Sequence, residues 1–339
     1  MSNYNNKVYE IAILGRVTWN LHSLNNEGTV GNVTEPRTLI LADGTKTDGI
    51  SGEMLKHIHA HYLWQLISEK DRSLCPSCQE FKPEKADANA NVRKTKEPEG
   101  AVDEALKCIL CDIHGFLVQK PTVSRESTIE FGWAVGLPKV YKEIHTHIRC
   151  SPRETFIPIE EEREPNSWGD EKCSEEDCNT SPAESKLYKV KDKWYCEKHL
   201  PLRAAQMVYH RPTRSGVYAI ISVFQPWRIG LNDVTLKYVS EVDRKARYEI
   251  SLESYIAMFS HIEGAMSSTR LPHTEEFKGV IVYTQKNFPV PVISSLKEDY
   301  IKQIEDIASK IGAQTKKFEN LQKFIEEIRN LEGLEPWNG

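Results

Sequence analysis

Val217-Tyr-Ala-Ile-Ile-Ser-Val-Phe224 is a near-continuous apolar run. It is too short for a core helix and rich in β-branched residues, so it reads as a central strand covered on both faces. Other segments fall into place around it. Tyr9 to Trp19 alternates and is rich in Ile, Leu and Val, a second strand by period and composition, and Val280 to Tyr283 is another buried strand. Phe116 to Val118, Thr128 to Val135 and Ile144 to Ile148 also read as strands. Ser51 stands at an N-cap before a helix over Glu53 to Ser68, whose inner face carries Leu55, Ile58, Tyr62, Leu63 and Leu66. Leu252 to Ile262 is predicted helical, followed by a small-residue turn over Gly264 to Pro272. Two amphipathic helices close the chain, one marked by Tyr300, Ile301, Ile304, Ile307 and Ile311, the other by Phe318, Leu321, Ile325 and Ile328. The order strand, helix, strands, helix, strand predicts an α+β fold, a sheet covered by helices of the split βαβ or RNA-recognition type. Asn20 to Asp48 is polar and glycine-bearing and is expected to be a long loop, with Thr38 to Leu41 pairing briefly.

At 339 residues, 39% hydrophobic and 27% charged, the composition is that of a soluble globular protein. No apolar run approaches the ~20 residues of a membrane span, and nothing at the N-terminus resembles a signal peptide. A cytoplasmic protein with no membrane partner is expected. The net charge of −5 argues at first against nucleic acid. It resides entirely in residues 151 to 200, however, and the neutral remainder can still carry a basic groove.

Seven of the eight cysteines fall into two ligand sets. Cys75-Pro-Ser-Cys78 is answered by Cys108-Ile-Leu-Cys111, and Cys173, Cys178 and Cys196 are completed by His199. A Cys-x-x-Cys turn offers two thiolates to one ion with little strain, and four soft or imidazole ligands satisfy tetrahedral zinc with no open position. Two structural zinc ions are expected, each stapling an insertion, over residues 70 to 115 and 150 to 210. Phe81 to Gly100, poor in apolar residues, is expected to be a flexible excursion from the first site.

The polar residues that suggest binding are scattered. Ser51-Gly-Glu-Met-Leu-Lys56 opens a helix whose free amides can hold a phosphate, Gly52 allowing close approach and Lys56 adding charge; an ordinary N-cap explains the same residues. His57 and His61 are spaced i, i+4, but the His-Glu-x-x-His pattern is absent, so the run His57, His59, His61 reads as polar surface or an RNA contact. His145, His147 and Arg149 alternate on a strand and share a face on which bases can stack. Arg211 and Arg214 flank Pro212 and can clamp a phosphate backbone. Gly264 to Arg270, with Ser267, Ser268 and Arg270, can cradle phosphates or simply be a loop. Asp43 and Asp48 read as solvated turn residues beside Gly44 and Gly49.

Taken in order, Thr47 to Lys56, Cys108 to Gly115, His145-Thr-His147, Arg211-Pro-Thr-Arg-Ser-Gly-Val-Tyr-Ala219 and Gly264 to His273 give the chain a resemblance. It resembles the backbone subunit of type I CRISPR Cascade complexes, closest to the DevR or Csa branch of subtypes A and B. That resemblance implies a modified RNA-recognition fold shaped like a right hand over the whole chain, residues 1 to 339. It implies copies polymerised along a CRISPR RNA (crRNA), with a thumb that folds over the guide and leaves segments free to pair with target DNA. Implied partners are crRNA, target DNA through the guide, neighbouring copies of the chain and other Cascade subunits, in an antiviral-defence role without catalysis of its own. The acidic insertion with the second zinc set falls where the thumb belongs. Two other readings stand beside this one. One is an endoribonuclease like the related type III subunits, which cut with an aspartate in the loop after the first strand; the other is a zinc-ribbon transcription regulator.

Overall fold

The computed structural model describes residues 6–68, 73–155, 161–190, 192–200, 203–264 and 267–338. By contacts these divide into two compact units, one of residues 1–28, 35–143 and 212–339, the other of residues 29–34 and 144–211.

The first unit is built on an antiparallel sheet. In chain order its main elements are β1 (Glu10–His22), β2 (Thr38–Ile40), β3 (Lys46–Ile50), α1 (Gly52–Ser68), β4 (Ile129–Phe131), β5 (Ala134–Gly136), residues 212–224 of β6 (Arg203–Phe224), α2 (Arg244–Ser260), β7 (His273–Thr284), α3 (Tyr300–Ile311), β8 (Gln314–Phe318) and α4 (Leu321–Glu332). The sheet runs β8-β7-β1-β6-β5-β3-β2, with β4 also paired to β6. The apolar run that predicted a central strand lies at its middle: Val217 pairs with Thr18, Ile221 with Leu14 and Phe224 with Ile11, and on the other side β1 pairs with β7.

Side-chain alternation along β1 sends its residues into two layers. Ile11, Ile13, Val17 and Trp19 join the core beneath α1, α2 and α4, whereas Ala12 and Leu14 meet Val280, Val282 and the Tyr300, Ile304, Ala308 face of α3. Both faces are therefore buried, as the apolar sequence of β1 and β6 requires. A ring cluster of Phe259, Phe277, Phe318 and Phe324, with centroids 4.6 to 5.4 Å apart, ties α2, β7, β8 and α4 together; such pairs add roughly 0.5–1.5 kcal/mol each beyond area burial.

Several elements depart from expectation. The segment after β1 is not a long loop: Asn26–Val30, Val33–Pro36, Thr38–Ile40 and Lys46–Ile50 are all strands. They carry polar residues on both sides, so no alternation marks them, and left-handed Asn25, Gly31 and Gly44 supply turns. Nor is Phe81 to Gly100 a flexible excursion. It folds into Lys85–Ala88, Ala90–Lys94 and the start of Pro98–Leu106, whose Ala86, Val92, Ala101 and Val102 enter the main core. Helix α2 starts eight residues before the predicted Leu252, because Asp243 caps it by accepting from the amide of Ala246 at 3.0 Å. Thr128 to Val135 is two strands, and β8 separates the two terminal helices.

The second unit holds residues 144–155 of the strand Tyr141–Thr155, residues 203–211 of β6, and a three-stranded sheet of Glu162–Arg163, Leu187–Val190 and Lys193–Cys196 that carries the second cysteine set.

Candidate functional site

Both metal-type clusters form. The ligand atoms of Cys75, Cys78, Cys108 and Cys111 lie within 4.8 Å of one another, as do those of Cys173, Cys178, Cys196 and His199. None of these cysteines is in a disulfide. The Sγ atoms of Cys78 and Cys111 are 3.7 Å apart and those of Cys178 and Cys196 3.9 Å, close to the ~3.8 Å edge of a tetrahedron with Zn–S bonds of ~2.3 Å. Nδ1 of His199 lies 3.6 and 3.4 Å from Sγ of Cys173 and Cys196, near the ~3.5 Å expected for an imidazole corner. The donor sets and spacings fit a closed, structural zinc at each place.

The predicted binding residues fare unequally. Ser51 is buried and caps α1, its Oγ accepting from the amide of Met54 at 3.2 Å while its own amide donates to Oδ1 of Asn25. The space a Cβ at Gly52 would need is filled by the Phe131 carbonyl. Backbone packing thus accounts for the glycine, while Gly52 and Glu53 also line a cavity of about 640 Å³ at this helix end. Arg214 also requires correction. Its guanidinium is fully buried, with Nη1 donating to both carboxylate oxygens of Asp48 at 3.0 Å and Nη2 to the Leu24 carbonyl. Buried in this way, with only Nε unpartnered among the described residues, it does not face outward toward a guide phosphate.

Asp48, expected to be solvated, is 1% exposed. It accepts from Tyr218 Oη at 2.8 Å as well, and Tyr218 in turn meets Nε2 of buried His22 at 2.9 Å. Burial and the Arg214 charge hold the His22 imidazole far below its usual pKa. Asp43 behaves as expected, exposed in a turn where Oδ1 accepts from the Thr45 amide at 2.9 Å, which draws its carboxyl below the usual range.

Around α1, Lys56 and His57 face cavities. His57 lines one of about 870 Å³ together with Met54, His61, Phe81, Ser267 and Ser268, so two regions distant in sequence do meet. Ser267 spends its hydroxyl within its own turn, accepting from and donating to the backbone of Gly264. Leu24 and Met54 fill the space beside Gly264, so this turn packs against the core. Nε of Arg270 donates to Thr213 Oγ1 at 3.1 Å. His59, read as surface, is wholly buried: its Nε2 meets the Ser251 carbonyl at 3.1 Å and its Nδ1 meets Nε2 of His114 at 3.1 Å.

In the second unit His145 is exposed, and the His147 ring stacks on Tyr209 with centroids 5.3 Å apart and planes 9° from parallel. The Arg211 guanidinium covers the same tyrosine at 4.6 Å. A polar strand face thus becomes a stacked platform, and Tyr209 is the member sequence reading missed. Its only signal was a ring placed two residues before Arg211 on a strand. The side chain of Arg149 lies outside the described residues.

Asp112, inside the Cys108–Gly115 motif, was also missed. It is wholly buried, held by Arg125 Nη2 at 2.8 Å, Arg247 Nη1 at 2.7 Å and the Gly230 amide. Two guanidiniums and a backbone donor compensate one carboxylate, a structural keystone.

Among the described residues no helix is long and apolar enough to cross a membrane. A family model described as CRISPR-associated negative auto-regulator DevR/Csa2 matches residues 13–174 and 197–305. The CRISPR-associated protein Cas7/Cst2/DevR of Methanocaldococcus jannaschii is 24% identical over 96% of this chain and 97% of its own length. Among solved structures, a chain of a CRISPR RNA-guided surveillance complex aligns with a TM-score of 0.45 at 9% identity, covering 98% of this chain and 95% of its own. Another, from such a complex described as pre-nicking, gives 0.43 at 11%, covering 90% and 87%. Csc2 of Thermofilum pendens gives 0.36 at 12%, covering 98% and 88%.

Proposed function

The chain belongs to the DevR/Csa2 family of CRISPR-associated proteins, and from that premise we propose that it is a non-catalytic backbone subunit that binds crRNA in a type I surveillance complex. Several copies would line one guide and present it to target DNA, beside other subunits of the complex. Family membership across most of the chain carries the reading. The architecture supports an RNA-recognition-type core: β1, α1, β4 with β5, β6, α2 and β7 follow a βαββαβ order, and within the sheet these strands lie fourth, first, third, second.

The His147, Tyr209 and Arg211 stack supplies what single-stranded RNA needs: aromatic faces for bases and a guanidinium for stacking or phosphate. His57, Ser268 and Arg270 provide further polar contacts from the first unit, with Lys56 as a point charge. Such contacts hold backbone and ring faces and leave sequence to base pairing. Zinc at both clusters would fix the two insertions, the second in the position of a thumb.

The endoribonuclease alternative gains nothing from Asp48, which is consumed by Arg214 and Tyr218, while exposed Asp43 serves its own turn through Oδ1. The words negative auto-regulator in the family description favour a second reading, a regulator of transcription. One titration separates the two. The protein is offered a labelled crRNA and, separately, duplex DNA from upstream of its own gene. The guide-binding reading expects tight RNA binding and only weak, salt-sensitive duplex binding; the reverse order supports the regulator.

A further inference from the structure

A second cavity, of about 430 Å³, opens between α1 and the first cysteine insertion, lined among others by Lys56, His57, Ala60, Phe81, Lys85 and His114. Two of its lining residues, Phe81 and Lys85, hold left-handed backbone with φ of 52° and 47°, a conformation that bulky residues adopt only when their surroundings impose it. Phe81 is fixed by its amide donating to the Cys78 carbonyl. Lys85 is fixed by Nζ donating to the carbonyls of His114 and Gly115 at 3.0 and 2.9 Å. Both side chains are thus presented at the cavity against local preference.

His114 is 2% exposed, and its Nδ1 has no hydrogen-bond partner among the described residues. Its protonation follows from a chain of contacts. The Ser251 carbonyl can only accept, so Nε2 of His59 carries a hydrogen. Burial keeps His59 neutral, so its Nδ1 is a lone pair and Nε2 of His114 must donate to it. Burial and the nearby Lys85 and Lys56 charges keep His114 neutral too. Its Nδ1 is therefore a bare acceptor among cations, which calls for a ligand N–H rather than an anion at that atom. Beside it, Lys56 and Lys85 call for an acceptor or negative charge. The His57 and Phe81 rings, 5.4 Å apart, offer apolar faces to a flat molecule.

We propose that this cavity receives a nucleobase, its N–H or amino edge donating to Nδ1 of His114, its ring against Phe81 and His57, and its phosphate or ring acceptors toward Lys56. The base can come from a free mononucleotide or from an unstacked position of bound RNA. Only the second source rests on the guide-binding reading; binding of AMP to RNA-free protein does not, so the two can fail separately.

The test uses the full chain freed of RNA, titrated calorimetrically with AMP and with purine riboside 5′-monophosphate. The latter keeps ring, sugar and phosphate but lacks the exocyclic amino donor. AMP is expected to bind at least about tenfold more tightly, since the analogue leaves the buried acceptor unpaired. Lys56→Ala and His57→Ala, changes at a half-buried and an exposed side chain respectively, should each weaken AMP severalfold while leaving the thermal midpoint in place. On ¹⁵N-histidine-labelled protein, AMP should move the Nδ1 resonance of His114. Equal binding of the two nucleotides, no saturable AMP binding at millimolar concentration, or AMP binding indifferent to both substitutions overturns the proposal. Competition with single-stranded oligoadenylate identifies the source: exclusion of AMP assigns the cavity to RNA, and undisturbed AMP binding on RNA-loaded protein assigns it to free nucleotide.

Discussion

Asp48 shows how far a single carboxylate can be misjudged from its neighbours in sequence. Between Thr47 and Gly49 it has the composition of a turn, yet it is the centre of a buried set with Arg214, Tyr218 and, beyond them, His22. Removing one partner of a buried ion pair leaves the other charge uncompensated, at a cost of about 3–5 kcal/mol. Asp48→Ala should lower the urea midpoint of the isolated protein substantially, whereas Asp43→Ala, exposed in its turn, should leave it nearly unchanged. A drop of similar size in both would show that the network is not what holds this corner. Buried histidines add a pH signature. Burial pulls His59 from 6.5 down to about 3, so the unfolded chain takes up a proton before the folded one does as pH falls. Stability is then full above about pH 6.5 and lost on acidification toward 3, at most about 1.4 kcal/mol per pH unit for each such group. Urea midpoints at about pH 7 and about pH 6, in the native protein and in His59→Gln, should show a shallower loss in the variant. The residues that were readable early are those whose partners lie close in sequence: Cys75 and Cys78, Cys196 and His199, Ser51 and Met54. Asp112, His114 and Arg214 owe their roles to residues far along the chain, and local spacing carries no trace of them.

At the scale of elements, periodicity identified what was amphipathic or fully apolar and little else. The centre of β1, the run within β6, the inner face of α1 and the stripes of α3 and α4 all stood out because burial had filtered their composition. The strands between Asn26 and Ile50 and the helices between Lys85 and Leu106 did not, since the former are polar on both faces and the latter bury only a few small or aliphatic side chains per turn. Those few decide a difference between the cysteine insertions. Ala86, Val92, Ala101 and Val102 pack into the main core, while Cys173, Leu187 and Cys196 form a small cluster of their own. Two zinc ions per chain are expected by elemental analysis of protein purified without chelator, and a reproducible value near zero would rule out both sites. Cys78→Ser should then lower the main unfolding transition, because the first site is continuous with the core, and Cys196→Ser should leave that transition in place while exposing residues 161–200 to proteolysis. Equal global destabilisation by the two would contradict the distinction.

For the molecule as a whole, the function proposed above requires the chain to grip RNA by backbone and ring faces, indifferent to sequence. Net charge is no obstacle, because the excess acid is confined to residues 151–200. Contacts to phosphate release counterions, so affinity should fall linearly with the logarithm of salt concentration. Tyr209→Ala and Arg211→Ala should weaken binding of any single-stranded RNA by a similar factor, the stacking loss being about 1–3 kcal/mol for the tyrosine. The most direct measurement is the affinity of the purified chain for two crRNAs with identical repeats and unrelated spacers of equal length, determined at two salt concentrations. Equal affinities for the two, falling together as salt rises, are expected. A large gap between the spacers, or no binding to either, would contradict the proposed function.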